Sequence, residues 1–309
     1  MKAAFIFSGQ GAQSVGMGRD IFEKSPAGRS IYETADEVLN WKVSEICFEG
    51  PAEKLTESRY CQVAIFVTSM ACLAAFNEAT GNKVVPVGTA GLSLGEYSAL
   101  CCSGFFRFED ALRLVAKRAE LMDEATRTTK GTMAAIITTG AGPEEEIARI
   151  CAENGIGVAN YNSPFQVVIS GSVEGVASAS AALKGVAGVR KVMPLTVAGA
   201  YHSPLMAEAG NKLIPYMDEV PTGEIRFPIA QNYTGSITEN ASDVKGNLIK
   251  QVAGSVRWVE CVNALSALGA DSFIEFGPGS VLTGLVKKID STKTVYNVSN
   301  FDDPSKIVF

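Results

Sequence analysis

Ser93 stands in the run Gly91-Leu92-Ser93-Leu94-Gly95, which follows an apolar stretch and precedes a helix-compatible one, Glu96 to Leu100. G-x-S-x-G on a strand-to-helix corner is the setting of a serine nucleophile. Glycines on either side let neighbouring backbones pass where side chains would collide, and the corner lifts the hydroxyl clear of the sheet. The Leu94 N–H, at the start of a helix, is then turned toward any oxyanion that forms. A serine at its own pKa is a poor nucleophile and needs a base. The chain has one histidine, His202, so any imidazole chemistry falls to it. Taken alone, a single histidine reads as a structural residue. Two features favour a base here: the small, Gly-containing segment Val197 to Pro204 around it, and the order serine before histidine. The chemistry implied is attack on an activated carbonyl. A zinc site would need several His or Cys ligands at suitable spacing, and the seven cysteines contain no C-x-x-C pair.

Such a corner needs a sheet behind it. Residues 3–7 read as a short buried strand ending in Gly9-Gln10-Gly11; 84–90 is a second apolar run and 273–276 a third, ending at Gly277-Pro278-Gly279. Helix-like stretches lie between them at 31–39, 61–77, 108–126 and 258–268. Strands separated by helices predict an α/β fold, a hydrolase-like large domain with a mostly parallel sheet. The middle of the chain has another rhythm: strands at 132–138, 156–161, 167–171 and 189–195, with helices at 143–154, opened by Pro143 in its first turn, and at 173–184. That β-α-β-β-α-β order is the ferredoxin-like pattern. It predicts a small ferredoxin-like domain, 128–195, inserted into a large α/β catalytic domain formed by 1–127 and 196–309.

Composition narrows the function. With 309 residues, 47% hydrophobic and 19% charged, the chain is not a disordered one. A net charge of −6 argues against a general nucleic-acid partner, which needs a basic footprint. The apolar N-terminal stretch is too short for a signal peptide. The longest apolar run, Val63 to Phe76, falls short of a membrane span and reads as a buried helix. No membrane association is expected, and the cysteines read as reduced, mostly buried thiols of a cytoplasmic protein.

Six blocks in order resemble the malonyl-CoA:acyl-carrier-protein transacylases, acyltransferases of fatty-acid and polyketide synthesis. They are Phe7 to Gln13, Gly91 to Leu100, Arg118 to Met122, Asn160 to Gly171, Tyr201 to Met206 and Phe276 to Gly284. The resemblance implies Ser93 as nucleophile, His202 as its base, and the backbone N–H groups of Gln10 and Leu94 as the oxyanion hole. Arg118 takes the place of the arginine that clamps the free malonyl carboxylate, a role suited to a planar guanidinium fork; from sequence alone it reads as a solvated helix charge. Gln251 matches a residue whose carbonyl orients the histidine, and Asn160 lines the cleft. Leu92 departs from the pattern, since the family usually has histidine just before the nucleophile. Gly199-Ala-Tyr-His202 resembles the malonyl-selective type.

The reading is a ping-pong malonyl transfer from coenzyme A to the phosphopantetheine thiol of an acyl carrier protein, by a Ser–His dyad with no third carboxylate. No cofactor is implied beyond the coenzyme A thioester as substrate, and the protein is expected to be a monomer. Activity should fall through one imidazole pKa, near 6.5 if unperturbed. Arg190-Lys191, Lys184 and Lys287-Lys288 are basic positions that could meet an acidic carrier. The alternatives are a serine esterase or thioesterase, a discrete polyketide-synthase acyltransferase, a dinucleotide-binding protein and a non-enzymatic binding module. The dinucleotide reading needs a third glycine where Ser14 stands.

Overall fold

The computed structural model describes residues 1–238 and 240–308. Among them are ten strands: β1 (Ala3–Phe7), β2 (Gly88–Gly91), β3 (Gly131–Thr138), β4 (Gly157–Ser163), β5 (Gln166–Ser172), β6 (Val189–Pro194), β7 (Ile229–Gln231), β8 (Ser236–Thr238), β9 (Ser272–Phe276) and β10 (Thr294–Val298). Six form one sheet in the order β10-β9-β1-β2-β7-β8, parallel throughout except for the edge pair β7 and β8.

Parallel strands covered on both faces need apolar residues on both. In β1, Ala3, Phe5 and Phe7 face the larger core, while Ala4 and Ile6 face a second core with Trp258, Leu265 and Val286. Phe5 packs on Phe76 and Phe276 at ring-centroid distances of 5.7 and 4.9 Å. Phe76 belongs to the helix Ser58–Thr80, into which the apolar run from Val63 extends. This helix is long and apolar enough to cross a membrane, yet 83% of its apolar window is buried in the molecule. A helix apolar on all sides belongs in such a core.

The second apolar run forms a shorter strand than expected. The strand is Gly88–Gly91, preceded by a Val87 N–H bond to Ala3 O; Pro86 has no N–H for the ladder and Val85 is exposed. The helix expected to begin at Pro143 is Glu144–Glu153, with Pro143 as its N-cap. Strands β7, β8 and β10 were not apparent in the sequence; two of them have 3 residues each, too few to show a period.

The second sheet, β4-β5-β3-β6, is antiparallel, and the helices Glu144–Glu153 and Val173–Leu183 complete the β-α-β-β-α-β order. Ala134, Ile136, Val167 and Ile169 pack against these helices, whereas Met133 and Val168 turn to the large core. A bulge in β4 is decisive for the cleft. Val158 pairs with Ile169 and Asn160 with Val168, so Ala159 is the extra residue and Asn160 shares the Val168 face. Two backbone bonds, Tyr161 N–H to Val256 O (2.9 Å) and Val256 N–H to Ala159 O (2.8 Å), pin this bulge to the chain entering the helix Trp258–Ala267.

Candidate active site

Between β2 and the helix Gly95–Ser103 the chain turns through Ser93, whose φ is 54°. A non-glycine residue in the left-handed region costs on the order of 1–3 kcal/mol and persists only where its surroundings enforce it. Here they do. A Cβ on Gly91 would lie 2.0 Å from Gly95 backbone atoms, one on Gly95 2.2 Å from Phe7 O, and one on Gly9 2.4 Å from Leu92 O. Thus the turn after β1 and the corner after β2 interlock only without side chains. From the end of β7, Asn232 donates its amide to Gly91 O (2.8 Å) and accepts the Ser93 N–H (2.6 Å).

His202 also has positive φ, 55°. Its Nε2 lies 2.7 Å from Ser93 Oγ and its Nδ1 2.8 Å from Gln251 O. A carbonyl can only accept, so Nδ1 carries the proton and Nε2 offers a lone pair to the serine. Burial, aided by the nearby Arg118 cation, lowers the His202 pKa to about 4. The ring is thus perturbed below the ~6.5 of an unperturbed imidazole and stays neutral well into the acid range, because it is desolvated and, among the described residues, no carboxylate hydrogen-bonds it.

Arg118 is not a solvated charge. It is 1% exposed and comes from the inner face of the helix Phe108–Thr128. One guanidinium nitrogen, Nη2, donates to Ser93 Oγ (3.0 Å) and Gln251 Oε1 (3.1 Å), and Nη1 donates to Gln62 Oε1. All these acceptors are neutral; among the described residues no carboxylate forms an ion pair with Arg118. A buried cation with no carboxylate in direct contact is costly, so the site favours an anion.

Gln10 follows β1 and Leu94 follows Ser93; among the described residues neither backbone N–H donates to a protein acceptor. The Gln10 side chain reaches Ser58 Oγ (3.4 Å), which bonds the Tyr201 hydroxyl (2.6 Å). Gln10, Leu92, Ser93, Asn160, Tyr201 and His202 all line one cleft of about 570 Å³. Leu94 contributes backbone only, its side chain being buried. All seven residues singled out in the sequence therefore meet at or beside this cleft. Gln62, Glu96 and Asn232 were missed. Glu96 carried a faint signal, a charge one step past the corner in an otherwise apolar helix; Asn232 carried none, since only the β7 pairing brings it here.

A strained serine, an imidazole with its lone pair on the hydroxyl and a buried cation on an α/β sheet define the class of serine acyl-enzyme catalysts. The chain belongs to the acyl transferase domain family, whose model matches residues 4–300. It is 41% identical to the malonyl CoA-acyl carrier protein transacylase of Bacillus subtilis (strain 168), over 99% of this chain and 95% of that protein. It is 36% identical to the protein of that name from Escherichia coli (strain K12), over 98% and 96%. The fold matches that of an acyl carrier protein S-malonyltransferase from Vibrio cholerae with a TM-score of 0.94, at 34% identity over 100% of both chains. It also matches a malonyl-transacylase solved in complex with its type II PKS acyl-carrier protein, with a TM-score of 0.91 at 34% identity over 99% of this chain and 98% of that one.

Proposed function

We propose that this chain is a malonyl-CoA:acyl-carrier-protein S-malonyltransferase of fatty-acid biosynthesis, working through a malonyl-Ser93 ester. The observation that carries the reading is that Ser93 Oγ lies within hydrogen-bond reach of both a neutral imidazole (2.7 Å) and a buried guanidinium (3.0 Å). The first suits a base and the second a substrate carboxylate. A simple esterase has no use for a buried cation beside its nucleophile.

In the first half-reaction His202 Nε2 takes the hydroxyl proton as Oγ adds to the thioester carbonyl. The tetrahedral oxyanion is held by the Gln10 and Leu94 N–H groups. Collapse breaks the C–S bond, and the imidazolium returns the proton to the departing coenzyme A thiolate. In the second half-reaction the pantetheine thiol of the carrier gives its proton to His202 and adds to the ester; Oγ leaves and recovers the proton. One thioester replaces another, hence ping-pong kinetics. The Gln251 carbonyl fixes the tautomer of His202, and the Gln251 side chain helps hold Arg118. Binding of the malonyl carboxylate by Arg118 orients the acyl group. Asn160 offers its amide from the opposite wall. We read 128–195 as an inserted small domain that supplies this wall, and the protein as a cytoplasmic monomer acting away from membranes.

Intact-protein mass after brief exposure to malonyl-CoA tests this. A malonyl adduct is expected on the wild type, absent from Ser93→Ala, weak with acetyl-CoA and discharged by added carrier protein. Release of free coenzyme A without an adduct, in proportion to time, would instead identify a hydrolase.

A further inference from the structure

Behind the dyad lies a carboxylate that the reaction above does not use. Glu96 is fully buried, and every polar contact it makes is with a donor: Gln231 Nε2 to Oε1 (2.9 Å), Asn232 N–H to Oε2 (2.9 Å) and Gln251 Nε2 to Oε2 (2.8 Å). A protonated carboxyl would have no acceptor for its O–H here, so this donor set selects the anion. Burial raises the Glu96 pKa, and these same hydrogen bonds oppose the rise.

Two of the three donors belong to the residues that hold the catalytic groups. Gln251 gives its carbonyl to His202 Nδ1, its Oε1 to Arg118 and a second Nε2 bond to Ser93 O (2.9 Å). Asn232 holds the Ser93 N–H and Gly91 O. An amide has one donor end and one acceptor end. By taking the donor end of Gln251, Glu96 leaves its oxygen facing Arg118, and by fixing the Asn232 backbone it sets the side chain that grips the corner. Glu96 and Arg118 are therefore an ion pair relayed by one amide rather than in contact. A direct pair would occupy the guanidinium; the relayed one supplies counter-charge and leaves the cation open to a ligand.

Building on the proposed malonyl transfer, we infer that Glu96 is a positioning residue, the hidden carboxylate that orients Gln251 and Asn232 and through them Ser93, His202 and Arg118. The test compares wild type, Glu96→Gln and Glu96→Asp in rapid-quench malonylation by malonyl-CoA and in labelling of Ser93 by phenylmethanesulfonyl fluoride. The imidazole ¹⁵N spectrum, which contains only His202, is recorded on each. Glu96→Gln is expected to lose about 30-fold in kcat, with KM within about threefold, and to turn the single Nδ1–H tautomer into a mixture, effects of roughly 2 kcal/mol at the transition state. Folded Glu96→Asp, which keeps the charge but withdraws it, is expected to lose about fivefold and serves if Glu96→Gln does not fold. Wild-type rates and an unchanged imidazole spectrum in a folded variant would overturn the inference. Wild type labelled by the sulfonyl fluoride but not by malonyl-CoA would overturn the proposed substrate instead, and the sulfonyl fluoride rates would still judge Glu96.

Discussion

The six-stranded, mostly parallel sheet meets the cleft with its strand ends, whereas the four-stranded antiparallel sheet meets it with a face. From the first come Gln10 after β1, Ser93 after β2 and Asn232 after β7. The turns carrying Gln10 and Ser93 are locked against each other at contacts where a single Cβ would clash, and Asn232 grips the serine corner through its amide. From the second come Met133, Asn160 and Val168, side chains standing on regular or bulged strands. The difference teaches a division of labour. Atoms that must be placed to a few tenths of an ångström are carried by corners that cannot relax, and the walls that give the acyl chain its room are carried by replaceable side chains.

Removing the cation tests the strand-end side most severely. Arg118→Ala is expected to lower kcat/KM for malonyl-CoA about 100-fold, roughly 3 kcal/mol, while acetyl transfer holds or rises; steady-state kinetics with both thioesters measure it. Equal losses for both acyl groups would mean that Arg118 serves the corner and not the substrate.

The acid limb of the rate profile comes next. With the His202 pKa lowered to about 4, malonyl transfer should be flat from about pH 8 to pH 5.5 and fall below that. In Arg118→Ala the midpoint should move up, since a positive neighbour is gone. The same shift acts on stability. A histidine whose folded pKa lies below its unfolded value near ~6.5 leaves stability whole above that value and drains it as pH falls toward the folded one. Denaturant unfolding between pH 7 and pH 4 reads this slope, and a rate midpoint near ~6.5 would contradict the desolvated environment of the ring.

The smallest effect belongs to the sheet face. Asn160→Ala should raise KM about threefold with kcat nearly unchanged, about 0.6 kcal/mol, as expected for one partly solvated amide. A large loss of kcat there would move Asn160 from the wall to the reacting atoms and narrow the contrast between the sheets.

The two regions also differ in how far the sequence revealed them. The antiparallel sheet was readable nearly end to end, because its strands and helices alternate with clear periods; only the β4 bulge, which turns Asn160 inward, left no trace in hydrophobic pattern. Of the parallel sheet, β1, β9 and the serine corner were plain, since glycines and apolar runs mark them. Strands β7 and β8 were silent, and with them Asn232. Ser93 and His202 could be named from residue type and the absence of any other imidazole. The role read for Arg118 came from resemblance, because its helix shows the same charged surface pattern whether or not one arginine points inward. The lowered pKa of His202 lies beyond any sequence reading, being a property of what surrounds the ring.

The seven cysteines acquire a meaning in the presence of thioesters. All are free and buried, and burial pushes every thiol upward, that of Cys102 to about 12. Burial thus disfavours the thiolate, the form that competes for an acyl group. In the proposed reaction, an enzyme bathed in activated acyl donors and free thiols thus keeps its own sulfur out of the exchange, and acyl traffic is directed to the Ser93 oxygen instead of seven sulfurs.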